Sequence, residues 1–164
     1  MLVVGSIPAY RVSQRIKDRS ADVQLVKGNG VALTWAPSGP GWPSEGINWY
    51  EAVQTCQLLD QDGKTLAPEP QNIWRLPTVD EAVRSMALHG ENSRGVWDEK
   101  NAKASYEKRP DKEFPLWDIY SPVIYWWTAT EIDQDHTYII VYDGKVWPRS
   151  KELNMGYLGF RCVK

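Results

Sequence analysis

Several features that mark particular protein classes are scarce or missing in this chain of 164 residues. It has two cysteines and two histidines, and no Ser-His-Asp or Cys-His pairing follows from their spacing. No apolar run approaches the length of about 18 residues that a membrane-spanning helix needs. With 19 basic and 21 acidic residues the formal net charge is −2, so no strong positive field attracts phosphate backbones. The sequence therefore indicates neither a catalytic triad, nor a membrane span, nor a nucleic-acid partner.

The length is that of a single domain that can bury a core without metals or many disulfides. Residues 1–22 are mostly polar, which is typical of an N-terminal arm or a linker remnant, and residues 23–164 form the predicted domain. Met1–Gly5 is too short for the core of a signal peptide and lacks a basic start. The chain is therefore either cytoplasmic or exported by a leader outside this sequence.

Tryptophan and tyrosine are abundant, with nine Trp and eight Tyr against two Phe. Their rings combine an apolar body with a polar group, so they suit binding surfaces as well as cores. We expect a tryptophan-rich core to account for more than half of the indoles.

Turn and capping signals predict the first half of the domain. Asn29-Gly30 between two apolar runs is typical of a β-hairpin, because both residues tolerate positive φ. Asn48 with Glu51 predicts a capping box at the start of a first helix that ends near Asp62-Gly63. Thr78 with Glu81 predicts the same motif for a second helix.

Beyond the second helix the sequence predicts a long connection and then strands. Gly90 is interpreted as the residue that ends this helix, with His89 favourable to the helix dipole. Residues 91–121 are a long polar insertion, a place where binding specificity often resides. Strands follow at 123–130 and 137–142, and an Asp143-Gly144 hairpin turn leads to a third. A last strand is predicted over 157–163.

The two cysteines allow two interpretations. Cys56 lies on the apolar face of the first helix and Cys162 lies in the last strand. Two buried free thiols are common in such positions. A disulfide that ties the first helix to the last strand is the alternative, and it would favour an exported protein.

Five segments in this order resemble the bacterial Lcl C-terminal-domain family, a group of uncertain function named for a collagen-like adhesin. They are Val31–Trp35; Trp49, Ala52 and Cys56; Trp74–Thr78 with Glu81; Trp126–Thr130; and Arg161–Val163. The resemblance implies a C-type-lectin-like α+β fold, in which two helices flank a twisted antiparallel sheet with adjacent N- and C-terminal strands. It also implies a disulfide between Cys56 and Cys162. Related lectin-like domains occur in formylglycine-generating enzymes and in the variable proteins of diversity-generating retroelements.

Three polar groups are weighed as sites and judged structural. Glu131, Asp133, Asp135 and His136 are the best metal candidate, but a solvated turn explains them. Residues 69–72 superficially resemble the sugar motif of calcium-dependent lectins, yet one carboxylate and two amides fall short of the oxygens that calcium needs. Trp74 and Arg75 suit a structural joint, with the indole packed and the guanidinium bonded to main-chain carbonyls. We predict no catalytic residue, metal or cofactor.

The predicted ligand surface lies in the late loops and the insertion. Its candidates are Trp117, Asp118, Tyr120, Trp147, Arg149, Asn154 and Tyr157, although Trp147 and Trp117 could belong to the core. Aromatic faces and directional donors of this kind bind proteins or sugars. We expect a non-catalytic, calcium-independent binding module for a protein or a glycan, outside the cell or on its surface. The alternatives are a retroelement variable protein and a formylglycine-generating type of enzyme.

Overall fold

The computed structural model describes residues 22–37, 39, 46–113, 116–117 and 119–164. Within these residues the chain forms two helices and ten strands, and the predicted α+β architecture is confirmed. They are β1 (Gln24–Gly28), β2 (Val31–Trp35), α1 (Trp49–Leu58), α2 (Val79–Ser85), β3 (Ala87–Leu88), β4 (Glu91–Asn92), β5 (Val96–Asp98), β6 (Lys103–Ser105), β7 (Tyr125–Glu131), β8 (His136–Val141), β9 (Val146–Ser150) and β10 (Leu158–Gly159). The predicted N-terminal arm, residues 1–22, lies outside the described residues except for Asp22.

The β1–β2 hairpin forms as the sequence predicts. Gly28 pairs with Val31, so Asn29 and Gly30 make a two-residue turn with φ values of 50° and 81°. Both angles lie in the left-handed region that such a turn requires. The Asn29 side chain also donates to the carbonyl of Gly95 at 2.8 Å, which fixes the turn against the insertion.

Helix α1 begins where the sequence predicts and ends earlier. The Asn48 side chain accepts from the main-chain amide of Glu51 at 2.9 Å. The Glu51 carboxylate contacts the Asn48 side-chain amide at 3.3 Å, so the reciprocal half of the predicted capping box is replaced by a side-chain contact. Leu59 is already extended and forms a β-bridge with Leu66. That pairing ends the helix before Asp62-Gly63.

Helix α2 has the complete predicted capping box but does not reach Gly90. The Thr78 hydroxyl accepts from the Glu81 amide, and the Glu81 carboxylate accepts from the Thr78 amide. The helix ends at Ser85, and the Asn92 side chain caps the Arg84 carbonyl at 2.8 Å. His89 and Gly90, at φ 51° and 75°, instead form the turn between β3 and β4. Their assignment to the helix C-terminus is therefore wrong.

The main sheet has the strand order β10-β7-β8-β9. The pairs β7–β8 and β8–β9 are antiparallel, and the predicted Asp143-Gly144 turn joins the latter, with the Gly144 amide donating to Val141. Only two residues of β10 pair with β7, and they run parallel to it. The continuous last strand predicted over 157–163 is therefore broken. Its final part, at Val163, pairs elsewhere.

The N-terminal hairpin and the C-terminus lie side by side, as predicted. Val163 forms antiparallel bridges with both Trp35 and Arg75, and the amides of Thr34 and Lys164 each donate to the other's carbonyl at 3.0 Å. Cys162, next in the chain, is bonded to Cys56 on α1, which confirms the predicted disulfide over a sequence separation of 106. The C-terminal segment is thus held by hydrogen bonds on two sides and by one covalent bond.

The core has two parts on opposite faces of the main sheet. One part joins α2 and the β1–β2 hairpin to the Trp126 face of β7, and the other joins α1 to the Trp127 face. Neighbouring residues of a strand point to opposite faces, so the unusual Trp126-Trp127 pair supplies one indole to each part. Five of the nine indoles are at most 2% exposed, which confirms the tryptophan-rich core.

The insertion over 91–121 is not a long irregular connection, because it contains β4 and the β5–β6 hairpin. It packs closely on its neighbours. A Cβ atom at Gly95 would lie 2.2 Å from the carbonyl oxygen of Val83 on α2. The Tyr106 hydroxyl donates to the Gly144 carbonyl at 2.7 Å, which joins the insertion to the β8–β9 turn. Burial of this phenol raises the pKa of Tyr106.

Candidate functional site

Trp117 is part of the core rather than of a binding surface. It is 1% exposed and stacks on Trp126, with ring centroids 3.7 Å apart and an interplanar angle of 7°. Its indole N–H donates to the Val123 carbonyl at 3.2 Å. Its packing and its polar group are therefore both satisfied internally, and we remove it from the candidate ligand surface.

The other loop candidates differ in position. Asp118 lies outside the described residues. Tyr120 and Asn154 are exposed, Tyr120 to 48%. They stay predictions for the rim of a binding surface.

Two of the predicted residues, Trp147 and Arg149, form a connected side-chain surface on the β-sheet with Tyr125, which the sequence analysis missed. The guanidinium carbon of Arg149 lies 5.0 Å from the centroid of the Trp147 ring, and the Tyr125 and Trp147 centroids are 6.0 Å apart. The main-chain amide of Tyr125 donates to the carbonyl of Tyr157 at 3.1 Å. Tyr157 is 58% exposed and meets Tyr125 through this main-chain bond, so a role for its side chain stays a prediction. We call Tyr125, Trp147 and Arg149 the aromatic strip.

The strand register explains why Trp147 is only partly buried. Trp127, Ile139 and Trp147 form one row across β7, β8 and β9. Trp127 and Ile139 are fully buried in the core part under α1, whereas Trp147 lies on the edge strand and packs against that part from its border. An indole in this position is anchored by the core and still reaches solvent.

The outer edge of β9 is blunted against pairing with another strand. The amide of Val141 donates to Lys145 and that of Lys151 donates to Asp135, which indicates that odd-numbered residues of β8 and β9 form the hydrogen-bonded pairs. The backbone nitrogen of Pro148 therefore faces outward, and it carries no hydrogen. A proline in this position blunts the edge against strand addition. A ligand at β9 would be held by side chains.

Arg149 is held in place without a carboxylate. Its guanidinium donates to the carbonyl of Pro148 at 2.8 Å and stacks on Trp147. Among the described residues no carboxylate oxygen lies within 4.0 Å of its nitrogens. Four other described arginines, by contrast, are paired with Glu or Asp: Arg75, Arg84, Arg94 and Arg109.

The acidic segment after β7 is a self-satisfied turn. The Asp133 carboxylate accepts from the amides of Asp135 and His136, both at 2.8 Å, and contacts the His136 ring at 2.9 Å. The Asp135 amide and the His136 ring together hold the pKa of Asp133 below its usual value. Glu131 pairs instead with Lys151. Within the described ranges no group of three or more His, Cys, Asp or Glu residues is placed to hold a metal ion.

The two other polar groups considered as sites, residues 69–72 and the pair Trp74 and Arg75, have structural partners. The amides of Gln71 and Asn72 both donate to the carbonyl of Gln57 and so cap the end of α1. Trp74 is buried and donates to the Asp60 carbonyl at 2.8 Å. Arg75 forms a two-pronged ion pair with Glu81, at 2.7 and 2.8 Å, in addition to the predicted bond to a main-chain carbonyl.

The insertion also contributes to a cleft of about 270 Å³ beside the β8–β9 turn. Arg109 donates to Asp143 at 2.6 Å across it. The lining residues are Leu88, Arg109, Pro110, Asp111, Tyr142 and Asp143. Because Arg109 and Asp143 pair with each other, the cleft offers less to a ligand than the aromatic strip does.

In the part of the chain that the structure describes, no helix is both long and apolar enough to cross a membrane. Comparison of the chain with protein-family models, with curated proteins and with solved structures finds no match. The Lcl resemblance and the C-type-lectin-like assignment therefore stay predictions that rest on the sequence motifs alone.

Proposed function

We propose that this protein is a non-catalytic binding module that recognises a protein or a glycan through its aromatic strip, without calcium. The observation that carries the proposal is the placement of Trp147, a partly exposed indole on an edge strand between Tyr125 and Arg149. Trp, Tyr and Arg are the residues that most often dominate binding energy when they meet in one patch. The order of the five motif segments supports a lectin-like scaffold for this surface.

The scaffold suits binding because the strip is rigid. Trp147 and Tyr125 pack against the core part under α1, and the disulfide ties α1 to the C-terminal segment. Side chains ordered before binding lose less conformational entropy when a ligand arrives. The disulfide also supports a location outside the cell or on its surface, since oxidising compartments preserve such bonds.

The proposal is tested by screening the labelled full chain against a glycan array and a phage library of random peptides. We expect hits whose affinity falls about tenfold or more in Trp147→Ala, the range expected for a central aromatic contact. Tyr50→Ala is the matched control, because Tyr50 is 47% exposed on α1 and contacts Trp49 instead of the strip.

Circular dichroism must show that each variant is folded, and Trp147→Phe provides a milder change at the same position. Hits that bind Trp147→Ala and Trp147→Phe as tightly as the wild type would refute the strip as the binding surface. Calcium-dependent binding, lost on chelation, would refute the calcium-independent part of the proposal.

A variable protein of a diversity-generating retroelement is a second form of the same proposal, favoured by the position of the strip late in the chain. Sequence variation among sibling genes that clusters after about residue 115 would support it. A formylglycine-generating activity has less support, because it needs a reactive cysteine pair and both cysteines of this chain form one buried disulfide.

A further inference from the structure

One face of the Trp147 indole already carries a partner. The guanidinium carbon of Arg149 lies over the ring, 5.0 Å from its centroid, while Tyr125 and the core part under α1 contact the ring as well. A sugar that bound by stacking would need an open aromatic face. On this side it would have to displace the guanidinium and lose the cation–π contact. The geometry disfavours carbohydrate stacking on Trp147.

Among the described residues, Arg149 has few hydrogen-bond acceptors and keeps unused donors. A guanidinium has five N–H donors, and the structure shows Arg149 using a donor on one main-chain carbonyl. The stack on Trp147 and the bond to Pro148 orient the group, so little further ordering is needed on binding. A planar guanidinium presented in this way matches a carboxylate, which it can bind with two parallel hydrogen bonds.

Strand β9 carries a single cation, Arg149, which matches one negative charge rather than many. It is the only cationic member of the aromatic strip. Lys151, two residues later, is 3% exposed and its ammonium group already donates to Glu131 and to the Gln134 carbonyl. A polyanion with repeated charges favours a cluster of exposed cations. A protein surface, by contrast, presents single carboxylates beside apolar side chains.

From these observations we infer that the strip binds a polypeptide that presents an Asp or Glu carboxylate to Arg149 and an apolar or aromatic side chain to Tyr125. The inference rests on the proposed function and narrows its ligand from protein or glycan to an acidic, partly apolar peptide surface. Because Pro148 blunts the edge of β9, side chains rather than an added strand make the contacts.

The test uses the random-peptide phage library as the probe and the immobilised full chain as the bait. We expect the enriched peptides to combine Asp or Glu with aromatic or aliphatic residues. Their binding to Arg149→Met should be about tenfold weaker than to the wild type, since a bidentate charged pair is lost while the apolar stem is kept. Arg94→Met is the matched control, because Arg94 is an exposed arginine paired with Glu107 away from the strip.

Each other outcome overturns the inference. Enriched peptides without acidic residues, full retention of binding by Arg149→Met, or no peptide enriched over the bare support would each do so. Selective binding of neutral or acidic glycans would also overturn it. If a ligand no longer binds Trp147→Ala but still binds Arg149→Met, the proposed binding function holds and the carboxylate contact does not. A ligand that both variants keep removes the proposed function as well.

Discussion

Cys56 on α1 and Cys162 near the C-terminus are joined by a disulfide that lies at the centre of the fold, with both residues fully buried. The segment around Cys162 also exchanges hydrogen bonds with β2 on one side and with Arg75 on the other. The bond therefore connects α1 to a small sheet that already includes both ends of the domain. A helix, the N-terminal hairpin and the C-terminus are fixed to one another at this point.

Removal of the disulfide should lower the free energy of unfolding without changing the fold. We expect the Cys56→Ala/Cys162→Ala double variant to lose about 2–4 kcal/mol, because the unfolded chain is no longer constrained by a long closed loop. Denaturant unfolding of the wild type, with and without reductant, gives the comparison. Equal unfolding midpoints for the oxidised protein and the double variant would show that the bond contributes nothing.

The contact between Arg75 and Glu81 predicts an acid-sensitive step in stability. Burial raises the pKa of Glu81, but the Arg75 guanidinium and the Thr78 amide lower it more, so the net pKa lies below the ordinary 4.5. A carboxyl group whose pKa is depressed by folding stabilises the protein above its unfolded-state pKa, and this contribution is lost as the pH falls through the folded-state pKa.

The measurement is the melting temperature of wild type and Glu81→Gln from pH 7 down to about pH 3. We expect the variant to be less stable at neutral pH and to lose less stability on acidification below pH 4.5. Glu99→Gln is the control, since it removes one carboxylate from the exposed β5–β6 turn. Parallel profiles for the wild type and Glu81→Gln would contradict the prediction.

Local chemistry made the turns and helix starts predictable. Asn29-Gly30 and Asp143-Gly144 specify their turns because few residues adopt positive φ without strain. Thr78 and Glu81 satisfy main-chain donors within four residues of each other, so no distant contact is needed. His89-Gly90 shows the limit of such signals, because positive φ suits both a helix end and a hairpin turn. The hairpin turn forms here, because the helix ends earlier, where the Asn92 side chain donates to the Arg84 carbonyl.

Side-chain burial was less predictable, because it depends on partners that are distant in the sequence. The sequence allows Trp117 to be either a ligand-binding loop residue or a core residue. It is a core residue because it stacks on Trp126 of β7. Tyr125 was missed, although its position at the start of an aromatic strand was visible. Pro148 was a further unused signal, because a proline inside a strand pattern indicates an edge strand. That signal would have placed Trp147 and Arg149 at the border of the sheet.

The contact between Gly95 and α2 predicts that the insertion is a structural part of the domain. A methyl group at Gly95 would overlap the Val83 carbonyl and the Tyr106 ring, so Gly95→Ala should cost about 1–3 kcal/mol through overpacking. Gly90→Ala is the control. Among the described residues no atom lies within 4 Å of its added Cβ atom, so the positive φ sets the cost, at about 1 kcal/mol. If Gly95→Ala costs less than Gly90→Ala, the insertion is free to move away from α2.

The ion pair between Lys151 and Glu131 predicts that substitutions of its two members lower the stability by different amounts. Its ammonium group is buried, donates to Glu131 at 2.7 Å and to the Gln134 carbonyl at 2.8 Å, and lies 4.7 Å from the Trp49 ring centroid. The Glu131 side chain is largely exposed. Glu131→Ala therefore leaves a buried charge with fewer partners, whereas Lys151→Met leaves a carboxylate that water can solvate.

We expect Glu131→Ala to cost about 1–3 kcal/mol and Lys151→Met less, because an uncompensated buried charge is costlier than an exposed one. Denaturant unfolding of the two variants and of the double variant gives both costs and their coupling. If the double variant is more stable than Glu131→Ala alone, the unpaired ammonium group is the source of the loss. A larger cost for Lys151→Met would instead show that this side chain acts mainly by packing against Trp49 and joining the 131–136 turn to α1.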